Sequence, residues 1–320
     1  MKHLIFFNQF HNGDCFVGRE YVAKMTQLLP DGVKVSYAHN NNPAILEDIY
    51  QKYDIEHLGL NNIPPMDRMT KVAMSEDKET VYVNTWVGCW QGELFPFGEH
   101  INFTRLHEIW RQYFTYFNLP FNEDKDEYLP DVDLSCINTK LVDVFVVDTL
   151  PLDISYEQPV VLFCNGPANS GQSGVGDFKY SIERLVKAYP KLIFIATHKL
   201  DVISDNLYYT DDIFKDVESD LLLITYLSQF AMLIVGKNSG PFSFCQNQAN
   251  LYNRDMTFFN FSKLPTDCPT GGSMYRARCL YSPVTDDNRI HILLTTVIEE
   301  LYDSINGFNK NPRRGTELLV

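Results

Sequence analysis

The sequence predicts an α/β protein made of two Rossmann-like domains facing each other across a cleft. Three observations predict this. Short apolar runs alternate with amphipathic runs along nearly the whole chain, and strands that alternate with helices build right-handed βαβ units around a mainly parallel sheet. The alternation halts at a proline-marked stretch, "PLDISYEQP" (Pro151 to Pro159), and then restarts. The length of 320 residues suits two domains, at about 150 residues each. The expected organisation is residues 1–150, residues 151–308 and a loose tail, 309–320.

In the first half, His3 to Phe7 is an apolar run of strand length. Cys15 to Leu29 follows with helical spacing and is stopped by "PDG". Val33 to Ala38 is a second strand, and Pro43 to Lys52 a helix that opens on proline. "ETVYVNTWVG" (Glu79 to Gly88) reads as a strand. From Asn102 to Asn118, apolar residues at 103, 106, 109, 110, 113, 114 and 117 share one helical face. The stretch 119–140 is acidic and proline-marked, hence loop. "LVDVFVVDTL" (Leu141 to Leu150) is expected to be the strand that closes this half.

The second half repeats the logic. Strands are expected at 160–165, 191–197, 232–237 and in "DMTFFNF", with a strand or sheet edge in "NLYYTDDIF". Helices are expected at 178–189, at 219–231 with Ser219 as cap, in "PFSFCQNQANLY" and at 288–307.

The net charge of −14 disfavours duplex nucleic acid and anionic lipid as partners. Seven cysteines, irregularly spaced and without a CxxC pair, fit reduced thiols and a cytoplasmic location rather than a disulfide framework or a zinc site. The first apolar run is too short for a signal peptide, and no apolar stretch reaches the roughly 18 residues of a membrane span.

In open α/β sheets, ligands bind beyond the carboxyl ends of the strands, so the chemistry is sought in strand-to-helix loops. Three of them stand out. The first is "HNGD", His11 to Asp14, where the first strand hands over to a helix. Asp14 there is either a helix cap or a catalytic base, and Gly13 lets the backbone turn with no side chain in the way. The second is "KNSGPFSF" (Lys237 to Phe244). Asn238, Ser239 and Gly240 form a small polar turn ahead of a proline-initiated helix, which is either an ordinary capped turn or an anion site to which Lys237 adds charge. The third is "NGPANSGQSGVGD" (Asn165 to Asp177). It is glycine- and serine-rich but is neither a Walker loop, a GxGxxG fingerprint nor a GxSxG elbow. It is either a mobile surface loop or a wrap for a diphosphate.

Two of these motifs carry a resemblance. "LIFFNQFHNGD" and "SDLLLITYLSQFAMLIVGKNSGP" (Ser219 to Pro241) are similar to segments of GT-B glycosyltransferases, most of all the heptosyltransferase-like branch. The resemblance implies a hexosyl- or heptosyl-type transferase that moves a sugar from a nucleotide-diphosphate donor to a glycan or other hydroxyl acceptor. It further implies inversion at the anomeric carbon, no metal, and no cofactor besides the nucleotide-sugar co-substrate. Asp14 matches the family's general base. Asn238, Ser239 and Gly240 match the donor diphosphate site, with the helix dipole behind them. The loop from Asn165, with Ser170, Gly171 and Ser173, would cover the other side. Gly13 would keep the backbone clear of the sugar, and His11 is either an acceptor contact or a plain loop residue.

The sequence departs from that pattern where a basic residue is expected soon after the strand 160–165. Lys179 stands behind the loop, and His198 and Lys199 are the nearest alternatives, which leaves the source of positive charge open. Trp86, Trp90, Phe95 and Phe97 could stack on a sugar or fill a core. "DVD" (Asp131 to Asp133) looks like a metal-binding DxD but lies in acidic loop, where it reads as solvated surface. The stretch Tyr209 to Ile213 is where the nucleotide base could be read. The rival functions are a nucleotide-sugar epimerase on the same fold and a glycan-binding protein without catalysis.

Overall fold

A computed structural model of the chain describes residues 1–96, 103–150, 159–167, 174–237, 239–262, 275–305 and 316–318. It divides into two compact units, Met1–Ile137 and Asn138–Val320.

The first unit carries strands β1 (His3–Phe7), β2 (Lys34–Ala38), β3 (Glu56–Leu58), β4 (Val72–Met74) and β5 (Thr80–Asn84). They form one sheet in the order β3-β2-β1-β5-β4, parallel except for the edge strand β4. The central β1, "HLIFF", is buried from Leu4 onward, as a continuous apolar run requires when both sheet faces are covered. After β1 come α1 (Asn12–Val17) and α2 (Arg19–Leu28), a single expected helix broken at Gly18, where the loss of helix propensity is largest. A short 3₁₀ turn at Pro43–Leu46 leads into α3 (Glu47–Tyr53). Helix α4 (Phe103–Tyr116) buries the stripe read from its spacing, with Ile109, Trp110 and Phe114 at 0% exposure.

The second unit begins with α5 (Lys140–Thr149). This corrects the strand expected at 141–150. Val142 and Phe145 are buried while Leu141, Val144 and Val147 are exposed, a helical spacing that strand alternation would not produce. Tyr226 donates to Asp143 Oδ1 at 3.0 Å, which ties α5 to the second unit. The first compact unit ends at Ile137, and α5 opens the second.

Seven strands follow: β6 (Val160–Cys164), β7 (Ile193–Ala196), β8 (Leu207–Tyr209), β9 (Leu233–Gly236), β10 (Thr257–Phe261), β11 (Arg278–Ser282) and β12 (Thr316–Leu318). Their order is β12-β11-β10-β9-β6-β7-β8, parallel throughout. Interleaved are α6 (Lys179–Ala188), α7 (Thr210–Ile213), α8 (Leu221–Leu227), α9 (Gly240–Cys245), α10 (Gln248–Tyr252) and α11 (Asp287–Ile305). The cap of α8 is Asp220 rather than Ser219. The tail is not wholly loose: Cys279, Leu280 and Tyr281 pair with Thr316, Glu317 and Leu318. One core face gathers Phe163, Phe194, Val235 and Phe259 from the strands with Ile182, Leu185 and Leu294 from α6 and α11. Among the described residues, no helix is long and apolar enough to cross a membrane. The described cysteines are free thiols.

Candidate active site

Each sheet has a point where the chain, having stepped outward in one direction, returns to build the other side. In the first unit it steps β1, β2, β3 and resumes with β4 and β5 beyond β1. In the second it steps β6, β7, β8 and resumes at β9 beside β6. Loops diverge at such switch points and leave a crevice at the carboxyl ends of the strands. The described parts of the three loops singled out in the sequence begin or end there: "HNGD" after β1, residues 165–167 and 174–177 after β6, and Lys237, Ser239 and Gly240 after β9.

Phe7 of β1 is in register with Asn84 of β5, and the Thr85 N–H donates to the Phe7 carbonyl at 2.9 Å. Asn8, fully buried, donates from Nδ2 to Thr85 Oγ1 at 3.0 Å and accepts the Phe10 N–H on Oδ1 at 2.9 Å. Asparagine suits this position because its short amide closes a turn on the chain two residues ahead. The Phe10 ring stacks on Trp86 with centroids 4.0 Å apart.

The helix after β1 starts earlier than its apolar spacing suggests. His11 is the N-cap, α1 begins at Asn12, and Asp14 is the third helical residue. Asp14 is therefore not the cap. Its Oδ2 reaches back to accept the His11 N–H at 3.3 Å, the carboxylate half of a capping box. Burial pushes its carboxyl up to about 6, against the lowering effect of the His11 N–H. A carboxylate with that value is ionised at neutral pH yet basic enough to take a proton. Gly13 is not at positive φ. It belongs to the helix's first turn, so what it offers is an absent side chain beside Asp14. His11 is exposed.

The aromatic segment divides. Phe95 is core at 4% exposure. Trp90 donates from Nε1 to the Tyr113 hydroxyl at 2.9 Å, with Lys71 Nζ 4.5 Å over its ring. Trp86 belongs to the site loop through Phe10, and Phe97 lies outside the described residues. Asp133 of "DVD" pairs with Lys52 at 3.1 Å and accepts from Ser135. These bonds hold its carboxyl down at about 2. No group of three metal-binding side chains exists among the described residues.

In the second unit, Cys164 of β6 is in register with Gly236 of β9. The next residues, Asn165 and Lys237, open the crevice. Asn165 is buried, and both ends of its amide are taken by His198. Nδ2 donates to the His198 carbonyl at 2.9 Å, and Oδ1 accepts the His198 N–H at 2.8 Å. Asn165 thus clips the loop after β6 to the loop after β7. Ser170, Gly171, Ser173 and Asn238 lie outside the described residues.

The candidate sources of positive charge differ in their partners. Lys179 is engaged by Asp201, and Lys199 donates from Nζ to Asp212 Oδ1 at 2.6 Å. His198 is half exposed, with Nδ1 3.9 Å from Asp211 Oδ2. Lys237 differs from all three. It is 5% exposed, and its Nζ donates to the carbonyls of Gly176 at 2.6 Å and Val175 at 3.4 Å. No carboxylate among the described residues forms an ion pair with it. Burial lowers its pKa, partly offset by Asp177. Among the described residues, backbone carbonyls alone hold this buried ammonium.

Val175 and Phe178 bury the end of the glycine-rich loop in the core. Gly174 lies so near Thr285 that a Cβ there would come within 3.1 Å of Thr285 Cγ2. Ser239 is the N-cap of α9, is 8% exposed, and its Oγ has no hydrogen-bond partner among the described residues. Helix α9 starts at Gly240 and spans six residues, so its dipole is that of a short helix and the weight falls on Lys237 and Ser239. Gly236 lets this turn sit close: a Cβ there would lie 2.2 Å from Phe242 Cδ2. Tyr209, on the edge strand β8, donates its hydroxyl to the Val202 carbonyl at 2.7 Å and stands two strands from the switch point.

No protein-family profile matches the chain, and no curated protein matches it in sequence. Solved structures do match in fold. The glycosyl transferase family 9 protein of Veillonella parvula aligns with a TM-score of 0.51 at 8% identity, over 92% of this chain and 89% of that one. The Escherichia coli heptosyltransferase WaaC, solved with ADP-2-deoxy-2-fluoro heptose, aligns with a TM-score of 0.50 at 8% identity, over 93% and 99%. The two α/β units are thus those of a GT-B, heptosyltransferase-like fold. The UDP-GlcNAc 2-epimerase of Neisseria meningitidis aligns at a TM-score of 0.40 with 14% identity, over 95% and 94%, too low to weigh on the choice between transfer and epimerisation.

Proposed function

We propose that this protein is an inverting glycosyltransferase that moves a hexosyl or heptosyl group from a nucleotide-diphosphate donor to a hydroxyl acceptor without a metal. One observation carries the reading: the switch point of the second unit holds a buried lysine, Lys237, that has no carboxylate partner among the described residues. That is the chemistry a leaving diphosphate needs, a fixed cation in a poorly solvated place. Ser239 Oγ beside it supplies an unused hydroxyl donor.

Asp14 is the proposed base. The acceptor oxygen attacks the anomeric carbon while Asp14 takes its proton. The bond from the anomeric carbon to the diphosphate oxygen breaks, and the electron pair leaves with the nucleotide. Lys237 and Ser239 stabilise the charge that develops there, so the step runs without a cation brought in from solution. Attack opposite the leaving group inverts the anomeric centre. Gly236 lets the turn that carries Lys237 and Ser239 sit close, and Asn165 holds the neighbouring loop after β6.

The test begins with a thermal-shift panel of nucleoside diphosphates and nucleotide sugars, because a ligand that binds only the folded chain raises its melting temperature. The donor found is then incubated with and without acceptor alcohols. Release of nucleoside diphosphate only when an acceptor is present, with one glycosylated product of inverted configuration, is the expected result. Interconversion of the free nucleotide sugar without acceptor would identify an epimerase instead. Sugar binding with no turnover of any donor would leave a glycan-binding protein.

A further inference from the structure

Phe10 is held from three sides by groups on three different loops. Its N–H donates to Asn8 Oδ1 at 2.9 Å. Its carbonyl accepts from Asn41 Nδ2 at 3.0 Å. Its ring lies on the Trp86 indole at 4.0 Å between centroids, with 25° between planes. Asn41 comes from the loop after β2 and Trp86 from the loop after β5, the two strands that flank β1.

The outer parts of this clamp are themselves fixed. Trp86 donates its backbone N–H to Asn84 Oδ1 at 3.0 Å. Gly88 gives the indole its seat, since a Cβ there would lie 2.2 Å from the ring. Asn8 is tied to Thr85 Oγ1, which in turn meets the Tyr37 hydroxyl at 2.6 Å. Asn41 also approaches Cys15 Sγ at 3.4 Å. The next residue after Phe10 is His11, whose N–H fixes one carboxylate oxygen of Asp14.

An exposed cap residue at the end of a four-residue loop would normally be free to fray. Here the residue before it has no freedom left in either its backbone or its ring. We propose that Phe10 is a positioning residue: clamped by Asn8, Asn41 and Trp86, it fixes the His11 N–H and through it the direction and surroundings of the Asp14 carboxylate. The inference rests on the reading of Asp14 as the base only for its effect on transfer, and its effect on Asp14 is independent of that reading. The titratable groups beside Asp14 are His11 on the same turn and Cys15 next in the chain.

The test is carbon NMR titration of the Asp14 carboxyl in Phe10→Ala, Asn41→Ala and Phe10→Tyr, run beside kcat and KM for the donor. The parent carboxyl is expected to titrate near 6. Phe10→Ala and Asn41→Ala are expected to move its midpoint further up, because a loosened His11 N–H no longer lowers it. They are expected to lower kcat by about 10- to 100-fold, the scale of a small misplacement of a reacting group, with donor KM unchanged. Phe10→Tyr keeps ring and backbone and is expected to restore both. If Phe10→Ala does not fold, Asn41→Ala, which removes one bond to the carbonyl, gives the same readouts. A parental midpoint and parental kcat in Asn41→Ala and Phe10→Ala would overturn the proposal. A shifted midpoint with parental transfer would support the positioning of Asp14 and remove Asp14 as base.

Discussion

The Lys237 ammonium donates to the Gly176 carbonyl at 2.6 Å, across the switch point of the second unit and 61 residues apart in the chain. The strand β9 thereby holds the end of the glycine-rich loop that follows β6. The bond also shows why Lys237 and Lys179 differ in kind. Lys179 lies on the surface with Asp201, where an ion pair is worth little. Lys237 has been taken out of water and, among the described residues, given carbonyls instead of a counterion.

Replacing Lys237 by methionine is therefore expected to separate binding from stability. Affinity for nucleoside diphosphates should fall by about tenfold or more, the value of a hydrogen bond to a charged group. Because burial lowers the lysine pKa, the charged form weighs against folding at neutral pH, and this penalty fades as pH rises through the lowered pKa. The melting temperature of the variant at pH 7 is expected to be no lower than the parent's. Calorimetric titration and thermal unfolding of the same preparation check both halves. A loss of stability without a loss of affinity would make Lys237 a plain loop anchor.

Asp14→Asn is expected to lower transfer by about 10²- to 10⁴-fold, the usual contribution of a general base, with donor affinity retained. In the parent, kcat/KM should rise with pH through about 6 as Asp14 loses its proton. The sign for stability is the reverse. A carboxyl with a raised folded-state pKa contributes stability below about 4, and that contribution is lost as pH climbs through about 6. Asp14→Asn should thus melt higher than the parent at pH 8, by about 2–4 °C if the effect is ~1 kcal/mol, and show no gain at pH 4. A higher melting temperature at pH 4 instead would contradict the buried-carboxyl account.

Asn165→Ala strips the clip between the loops after β6 and β7. The His198 N–H and carbonyl lose their partners, and a lost hydrogen bond of this kind costs about 0.5–1.5 kcal/mol. Chemical denaturation should show a lower midpoint with an unchanged slope. Nucleoside diphosphate affinity should weaken as a consequence of the loosened loop. A variant as stable as the parent would mean that water replaces the amide without loss.

Gly236→Ala tests how closely α9 must approach β9. A Cβ at Gly236 would overlap the ring of the buried Phe242, and overpacking of this kind costs about 1–3 kcal/mol. The double variant Gly236→Ala with Phe242→Leu should recover part of the loss, since it frees the space. If it recovers none, the strain lies elsewhere.

The architecture was largely legible in the sequence, for a local reason. A strand buried on both faces must be a continuous apolar run, and an amphipathic helix must repeat its apolar residues every three to four positions. β1, β6, β9, β10, α4, α6 and α11 satisfy these rules and lie close to where the patterns place them. Edge strands obey weaker rules. β3, β4 and β12 have three residues each, too few to display a period. The run "LVDVFVVDTL" is rich in β-branched residues, yet α5 is a helix because only Val142 and Phe145 are turned inward and Thr139 Oγ1 reaches Asp143 Oδ2 at 2.8 Å. Propensity yields there to the burial of one face.

The sequence by itself determined where to look. Loops at the carboxyl ends of apolar strands carry the small and acidic residues, and those loops end at the switch points. It could not determine which residues act and which merely hold. That distinction rests on partners far along the chain: Asn165 with His198, Lys237 with Gly176, Phe10 with Asn41 and Trp86. Spacing in sequence reports only the local periodicity of burial. Whether an amide is spent on a backbone clip, or a lysine buried without a counterion, follows from packing between strands, and only the tertiary structure decides it.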